Sequence, residues 1–166
     1  LHLNVSHGTL ENAKFPKESI DVVTLYDVLE HVPKMKEFLK EIHRILKPGG
    51  LLVIQSPNIE SYAARILKTK WNWLLVPHHL WHFSFISLPG VLKSSGYSVI
   101  WKTTEDNIYD FSSNIKSTLR FPGISMGILY KIFRQLCYIF LYGVIGIGTI
   151  FWHTKGKGGV LRFYAT

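Results

Sequence analysis

The apolar run from Ile20 to Leu25 and the run from Leu51 to Ile54 both lack in/out alternation. That is the pattern of strands covered on both faces in a parallel sheet. Between them Met35, Phe38, Leu39, Ile42 and Leu46 recur at the spacing of one helical face, while Lys36, Glu37, Lys40, Glu41 and Arg44 take the other. Lys47-Pro48-Gly49-Gly50 is expected to stop this helix, because Pro48 cannot continue the hydrogen-bond ladder and a glycine accepts the left-handed conformation. The unit is a strand, helix and strand with a right-handed crossover expected. In sheets of this kind ligands bind outside the carboxyl ends of the strands, and Asp27, Glu30 and His31 come just past such an end. Leu1, Leu3 and Val5 alternate as in a short strand, and Gly158-Gly159-Val160-Leu161-Arg162-Phe163-Tyr164 reads as a closing strand.

The order of these motifs carries a resemblance. Val28-Leu29-Glu30-His31 after a strand, then a helix running into Lys47-Pro48-Gly49-Gly50, resembles the second half of a class I S-adenosylmethionine-dependent methyltransferase. Two further pieces are similar to that family. Gly8-Thr9-Leu10-Glu11 followed by Phe15-Pro16 resembles the loop after its strand 3 that borders the adenine. Pro77-His78-His79-Leu80-Trp81-His82-Phe83-Ser84, followed by Leu92 and Gly96-Tyr97, resembles the segment leading into its helix and strand 6. Together they cover roughly residues 5 to 104. The resemblance implies an α/β class: a doubly wound, mostly parallel Rossmann-like sheet, of which this chain is the C-terminal half, with 158–166 as an antiparallel last strand. It implies S-adenosylmethionine as cofactor, bordered by Thr9, Leu10, Glu11 and Asp27.

Several family features have no counterpart. The glycine-rich loop after strand 1 and the acid that ends strand 2 are not found, and Thr9 stands where the family often has an acid for the adenine amino group. The sequence is therefore expected to be N-terminally truncated, and the chain alone to be inactive. The expected layout of this partial domain is sheet core and cap over 1–104, an apolar, basic helical insertion over 105–157, and a closing strand over 158–166.

Charge and hydropathy single out that insertion. The net charge of +8 is carried by the tail, since residues 111–166 hold seven Lys and Arg and no acid, against ten Lys and Arg and eight Asp and Glu in residues 1–90. Gln135 to Thr154 contains no Asp, Glu, Lys or Arg, and Tyr138, Tyr142 and Trp152 suit an interface. With basic flanks it is expected to lie against an anionic membrane surface on the cytoplasmic side. Gly143, Gly146 and Gly148 lower its helix propensity, and a soluble hydrophobic lid is the competing reading. Nucleic acid is not expected as a partner, because the basic residues are interleaved with aliphatics rather than stacking aromatics. The lone Cys137 excludes an internal disulfide.

Methyl transfer to oxygen requires a proton acceptor. His31 is the first candidate catalytic base, and His79 or His82 the second. Asp27, Glu30 and His31 also resemble a magnesium-linked turn of some quinone-biosynthesis O-methyltransferases, so Mg²⁺ is a minor alternative, set against a plain structural role for Glu30. His78, His79 and His82 lack the cysteine or spaced acid of a zinc site. The reading is a methyltransferase for a small-molecule acceptor, lipid-like or lipid-linked, with a non-catalytic, membrane-associated module of the same fold as the alternative. A nicotinamide-dependent Rossmann enzyme is disfavoured, because the Leu-Glu-His turn and the Pro77-His78-His79-Leu80 segment have no role in it and no Gly-x-Gly-x-x-Gly is present. The acceptor atom and the oligomeric state are left open.

Overall fold

The computed structural model describes Val5, residues 7–105, Leu136, Ile139 and residues 155–166. Leu1, Leu3 and Cys137 lie outside the described residues, as does nearly all of the expected insertion, including 135–154 apart from Leu136 and Ile139. Among the described residues no helix is long and apolar enough to cross a membrane.

In chain order the elements are α1 (Leu10–Ala13), β1 (Ile20–Tyr26), α2 (Met35–Ile45), β2 (Leu46–Pro57), α3 (Tyr62–Leu67), α4 (Ser87–Ser94), β3 (Val99–Glu105) and β4 (Val160–Ala165). A single 3-10 turn, Leu29–His31, follows β1, and two more lie between α3 and α4. The strands stand in the order β1-β2-β4-β3. β1 and β2 are parallel, and β4 runs antiparallel between β2 and β3. This is the expected α/β sheet, with the closing strand where the resemblance places it.

The core lies on one face. Leu25, Leu52, Ile54, Leu161 and Phe163 from the sheet meet Leu39 and Ile42 of α2 and Leu88 and Leu92 of α4. Each fully buried aliphatic contributes about 1.5–3 kcal/mol relative to exposure. Tyr97 joins them, its hydroxyl donating to the Leu39 carbonyl at 2.9 Å, and burial holds that phenol well above the usual tyrosine range. The opposite face differs from expectation. Val22 is 51% exposed, and Thr24 and Tyr26 are exposed beside it. Among the described residues Ile20 to Leu25 meets helices on one face, because α2 and α4 both pack on the same side of the sheet.

The helix stop also differs. α2 buries Met35, Leu39, Ile42 and Ile45, and Leu46 is already extended at ψ 138°. Pro48 does not end the helix; pairing of Leu46 with Ile20 does. Ile20 and Val22 on β1 oppose Leu46 and Leu51 on β2, so Lys47 to Gly50 bulge out between paired positions. Gly49 turns the bulge at φ +75°, and a Cβ on Gly50 would sit 2.9 Å from the Lys47 carbonyl oxygen and 3.1 Å from that of Asp21.

The chain re-enters the sheet through Asn58, which is fully buried. Its Nδ2 donates to the Gly158 carbonyl at 2.8 Å and the Gly156 carbonyl at 3.2 Å, and its backbone N–H to the Gly159 carbonyl at 2.9 Å. These bonds set β4 against the end of β2.

Gly50→Ala should destabilise the protein by about 1–3 kcal/mol, since the added methyl meets two backbone carbonyls as well as the Leu46 side chain. Urea unfolding checks this as a lower midpoint at unchanged slope. A midpoint equal to that of the parent would show that the bulge relaxes freely.

Candidate active site

β1 ends at Tyr26, and Asp27 takes a left-handed conformation at φ 52° while its N–H donates to the Gln55 carbonyl at 3.0 Å. This turns the chain sharply at the carboxyl end of the parallel pair. Across from it, Thr9 caps α1, its hydroxyl oxygen accepting from the Asn12 N–H at 3.4 Å. The segment resembling an adenine-bordering loop is thus a short helix. Between the two lies a cleft of about 640 Å³. Thr9, Leu10 and Glu11 line one side, Asp27, Val28 and His31 the other, and Lys34 and Phe38 reach it from α2 and the turn before it. All four expected cofactor-side residues therefore share one cleft with the first candidate base.

The second wall is held by Glu30, which is 1% exposed. Its carbonyl accepts from the Leu80 N–H at 2.9 Å and the Trp81 N–H at 3.2 Å. The indole of Trp81 donates to the Val32 carbonyl at 2.8 Å, so the His-rich segment is laid across the turn. Glu30 does not cap α2. Its Oε2 accepts from the Ser56 hydroxyl at 3.1 Å, and its Oε1 is buried with no hydrogen-bond partner among the described residues. Burial, the largest cause, raises its carboxyl above the ordinary glutamate range.

The histidines separate by position. His31 lines the cleft and places Nδ1 2.9 Å from the His78 carbonyl. His79 sits behind it at 5% exposure, with Nδ1 2.8 Å from the Trp73 carbonyl and its ring stacked on Trp73. Burial, chiefly, lowers its pKa. His82 is exposed, Nε2 lying 3.4 Å from the Leu74 carbonyl. Ring centroids are 4.6 Å apart for His31 and His79 and 6.3 Å for His79 and His82. His79 and His82 are not among the residues lining the cleft.

The minor magnesium set is also rearranged. Glu30, His31 and His79 bring one donor atom each within 4.8 Å of the others, and Asp27 is not in that group. Asp27 is exposed, with Oδ2 3.5 Å from the Gln55 amide. Ser56, the partner of Glu30, was not singled out by sequence. The parallel register signals it, since Tyr26 pairs with Gln55 and the ends of both strands then meet at Ser56.

The depressed pKa of His79 fixes the sign of a pH effect. A buried neutral imidazole stabilises the fold fully above about pH 6.5, the ordinary histidine value, and that stability is lost as pH falls toward the lower folded value. Glu30 acts oppositely, because its raised pKa makes the fold gain as pH falls toward the ordinary glutamate value. The difference in Tm between the protein and His79→Gln should therefore shrink as pH is lowered from 7 to 5. A pH-independent difference would contradict the buried neutral state.

Comparison with known proteins agrees with this geometry. A family model described as a methyltransferase domain matches residues 2–101. A probable S-adenosylmethionine-dependent methyltransferase of Mycolicibacterium smegmatis is 29% identical over 97 residues, covering 58% of this chain and 36% of that protein. A demethylmenaquinone methyltransferase of Lysinibacillus sphaericus is 39% identical over 51 residues, 31% of this chain and 22% of its own. A ubiquinone biosynthesis O-methyltransferase of Ruegeria pomeroyi is 35% identical over 85 residues, 49% of this chain and 34% of its own. The chain thus spans between 22% and 36% of the length of these relatives. A solved S-adenosylmethionine-dependent methyltransferase of Archaeoglobus fulgidus shares the fold at a TM-score of 0.57 and 15% identity, covering 97% of this chain and 66% of that one. With the matched domain extending over most of the chain and the sheet in the order that the fold requires, the chain belongs to the class I S-adenosylmethionine-dependent methyltransferase family.

Proposed function

We propose that this chain forms the adenine-facing and acceptor-facing part of an S-adenosylmethionine-dependent methyltransferase acting on a small, lipid-like or lipid-linked molecule. One observation carries the reading: Thr9, Leu10, Glu11, Asp27 and His31, from the segments before and after β1, line a single cleft. Its volume of about 640 Å³ is in the range of small-molecule sites. Leu10, Val28 and Phe38 offer apolar surface to a purine, and Thr9, Glu11 and Asp27 offer hydroxyl and carboxylate groups to its polar edges.

S-adenosylmethionine supplies an electrophilic methyl group, so the work of the chain is to hold, align and exclude water. His31 would take the proton of a hydroxyl acceptor. Its Nδ1 faces a carbonyl and so carries the hydrogen, which leaves the Nε2 lone pair free to accept a proton. A lipid-like acceptor is supported by the uncharged stretch 135–154 and its basic surroundings in the sequence. It is also supported by relatives whose names place them in menaquinone and ubiquinone synthesis.

In the intact enzyme to which this chain contributes, with its own acceptor, His31→Ala should lower kcat by about 10²- to 10⁴-fold with little change in cofactor affinity, the usual loss for a general base. Paired turnover and calorimetric titrations check this. Unchanged turnover would pass the role to His79 or His82, or show that the acceptor needs no base.

Liposome flotation tests the acceptor class. The protein should float with anionic vesicles more than with neutral ones and stay bound at moderate salt, and deleting 135–154 should release it. Recovery in the soluble fraction with both vesicle types would favour a soluble acceptor.

A further inference from the structure

We infer that Arg162, on the closing strand β4, is a positioning residue for the cleft: through the side-chain amide of Gln55 it sets the direction of the Asp27 carboxylate. The inference rests on the proposed reading of Asp27 as a cofactor-side residue. Tyr26, Gln55, Arg162 and Thr103 form one row across all four strands. Alternation puts Gln55 and Arg162 on the face opposite Ile54 and Phe163, away from the helix-covered core. Along this row Nη2 of Arg162 donates to Oε1 of Gln55 at 3.0 Å, and Nε2 of Gln55 lies 3.5 Å from Oδ2 of Asp27. Of these three side chains it is Asp27 that lines the cleft.

The chemistry of the groups gives this chain a direction. A primary amide has one accepting and one donating end, and a guanidinium only donates. Arg162 therefore claims Oε1 of Gln55, which turns Nε2 toward the carboxylate. The flipped amide would set N–H groups against the guanidinium and its oxygen against Asp27. The backbone supports the same meeting, since the Asp27 N–H donates to the Gln55 carbonyl at 3.0 Å. At 3.5 Å the amide–carboxylate contact is the longest link of the chain, and it is the one that a bound cofactor would tighten.

Arg162 is itself fixed from the far side. Its Nη1 lies 2.8 Å from Oε1 of Glu105 at the end of β3, and its side chain is only 27% exposed. A planar guanidinium held through two of its nitrogens has one orientation, which a lysine ammonium could not reproduce. Glu105 also opposes its charge, so what Arg162 delivers to Asp27 is alignment rather than a net positive field. Asp27 is exposed, at a left-handed turn. Aligning an exposed carboxylate beforehand lowers the cost of immobilising it when a ligand binds. β4 thereby contributes to a cleft that none of its own residues lines.

Calorimetric titration of S-adenosylmethionine into the intact enzyme to which this chain contributes tests the inference. Asp27→Asn should weaken binding, and Arg162→Met should weaken it about 3- to 30-fold, the coupling usual within one hydrogen-bond network. The double variant should bind no more weakly than Asp27→Asn alone, because Arg162 acts through Asp27. Gln55→Glu keeps a partner for Arg162 but loses the N–H that faces Asp27. It should therefore weaken binding while Tm holds or rises, an outcome that a purely structural role does not produce. The added negative charge by itself favours a cationic sulfonium, so weaker binding marks lost alignment. Gln55→Glu also decides the matter if Arg162→Met fails to fold. The inference is overturned if Asp27→Asn weakens binding while Gln55→Glu binds like the parent, or if the losses of Arg162→Met and Asp27→Asn simply add. Parent-like binding by Asp27→Asn is a different result: it overturns the cofactor-side reading of Asp27, and the positioning role with it.

Discussion

The arrangement of the site depends on one buried acidic residue. Glu30 follows the sharp turn at Asp27, and its backbone carbonyl receives two N–H groups from the segment carrying His79 and His82. Its side chain reaches Ser56 at the end of β2. Three stretches of chain distant in sequence are therefore fixed relative to one another at the carboxyl end of the parallel strands. Burying a carboxylate this deeply is expensive, and a single hydroxyl satisfies only one of its oxygens. The raised pKa of Glu30 is the record of that cost. A carboxyl perturbed by burial next to a cleft marks this corner as the candidate functional one.

The remainder of the fold supplies a rigid platform. α2 and α4 pack on the same face of the sheet, and Tyr97 ties them through the Leu39 carbonyl. That packing fixes where α2 begins, and with it Lys34 and Phe38 at the cleft. At the other edge, Asn58 clamps the returning chain so that β4 enters between β2 and β3. The cleft itself is the space between α1 and the turn after β1, elements that share little of the core.

The helical spacing of apolar positions made α2 legible, and local apolar runs made β1, β2 and β4 legible. Such patterns failed where two local preferences competed. Pro48 and the two glycines mark the end of a helix in the sequence, yet pairing of Leu46 with Ile20 ends it earlier and turns those residues into a bulge. A largely apolar run without alternation predicted two covered faces for β1, but helix cover among the described residues comes from one side, and the exposed Asp21 and Thr24 interrupt the run. The cleft residues were legible through the resemblance of separate motifs. The pairing of His79 with His31 and Glu30 was not, since it depends on carbonyls of Trp73 and His78 that carry no side-chain signature. Asp27, adjacent to Glu30 in any sequence pattern, leaves the cluster because its left-handed backbone puts it at the exposed end of the strand.

Photolabelling of the intact enzyme to which this chain contributes with an azidoadenine analogue of S-adenosylmethionine, followed by peptide mapping, tests most directly whether this cleft holds the cofactor. Label protected by unmodified S-adenosylmethionine should fall within residues 8–11 and 27–38. Protected label at the opposite end of the sheet, around Lys47 to Gly50, or no protected label in the cleft at all, would contradict the assignment.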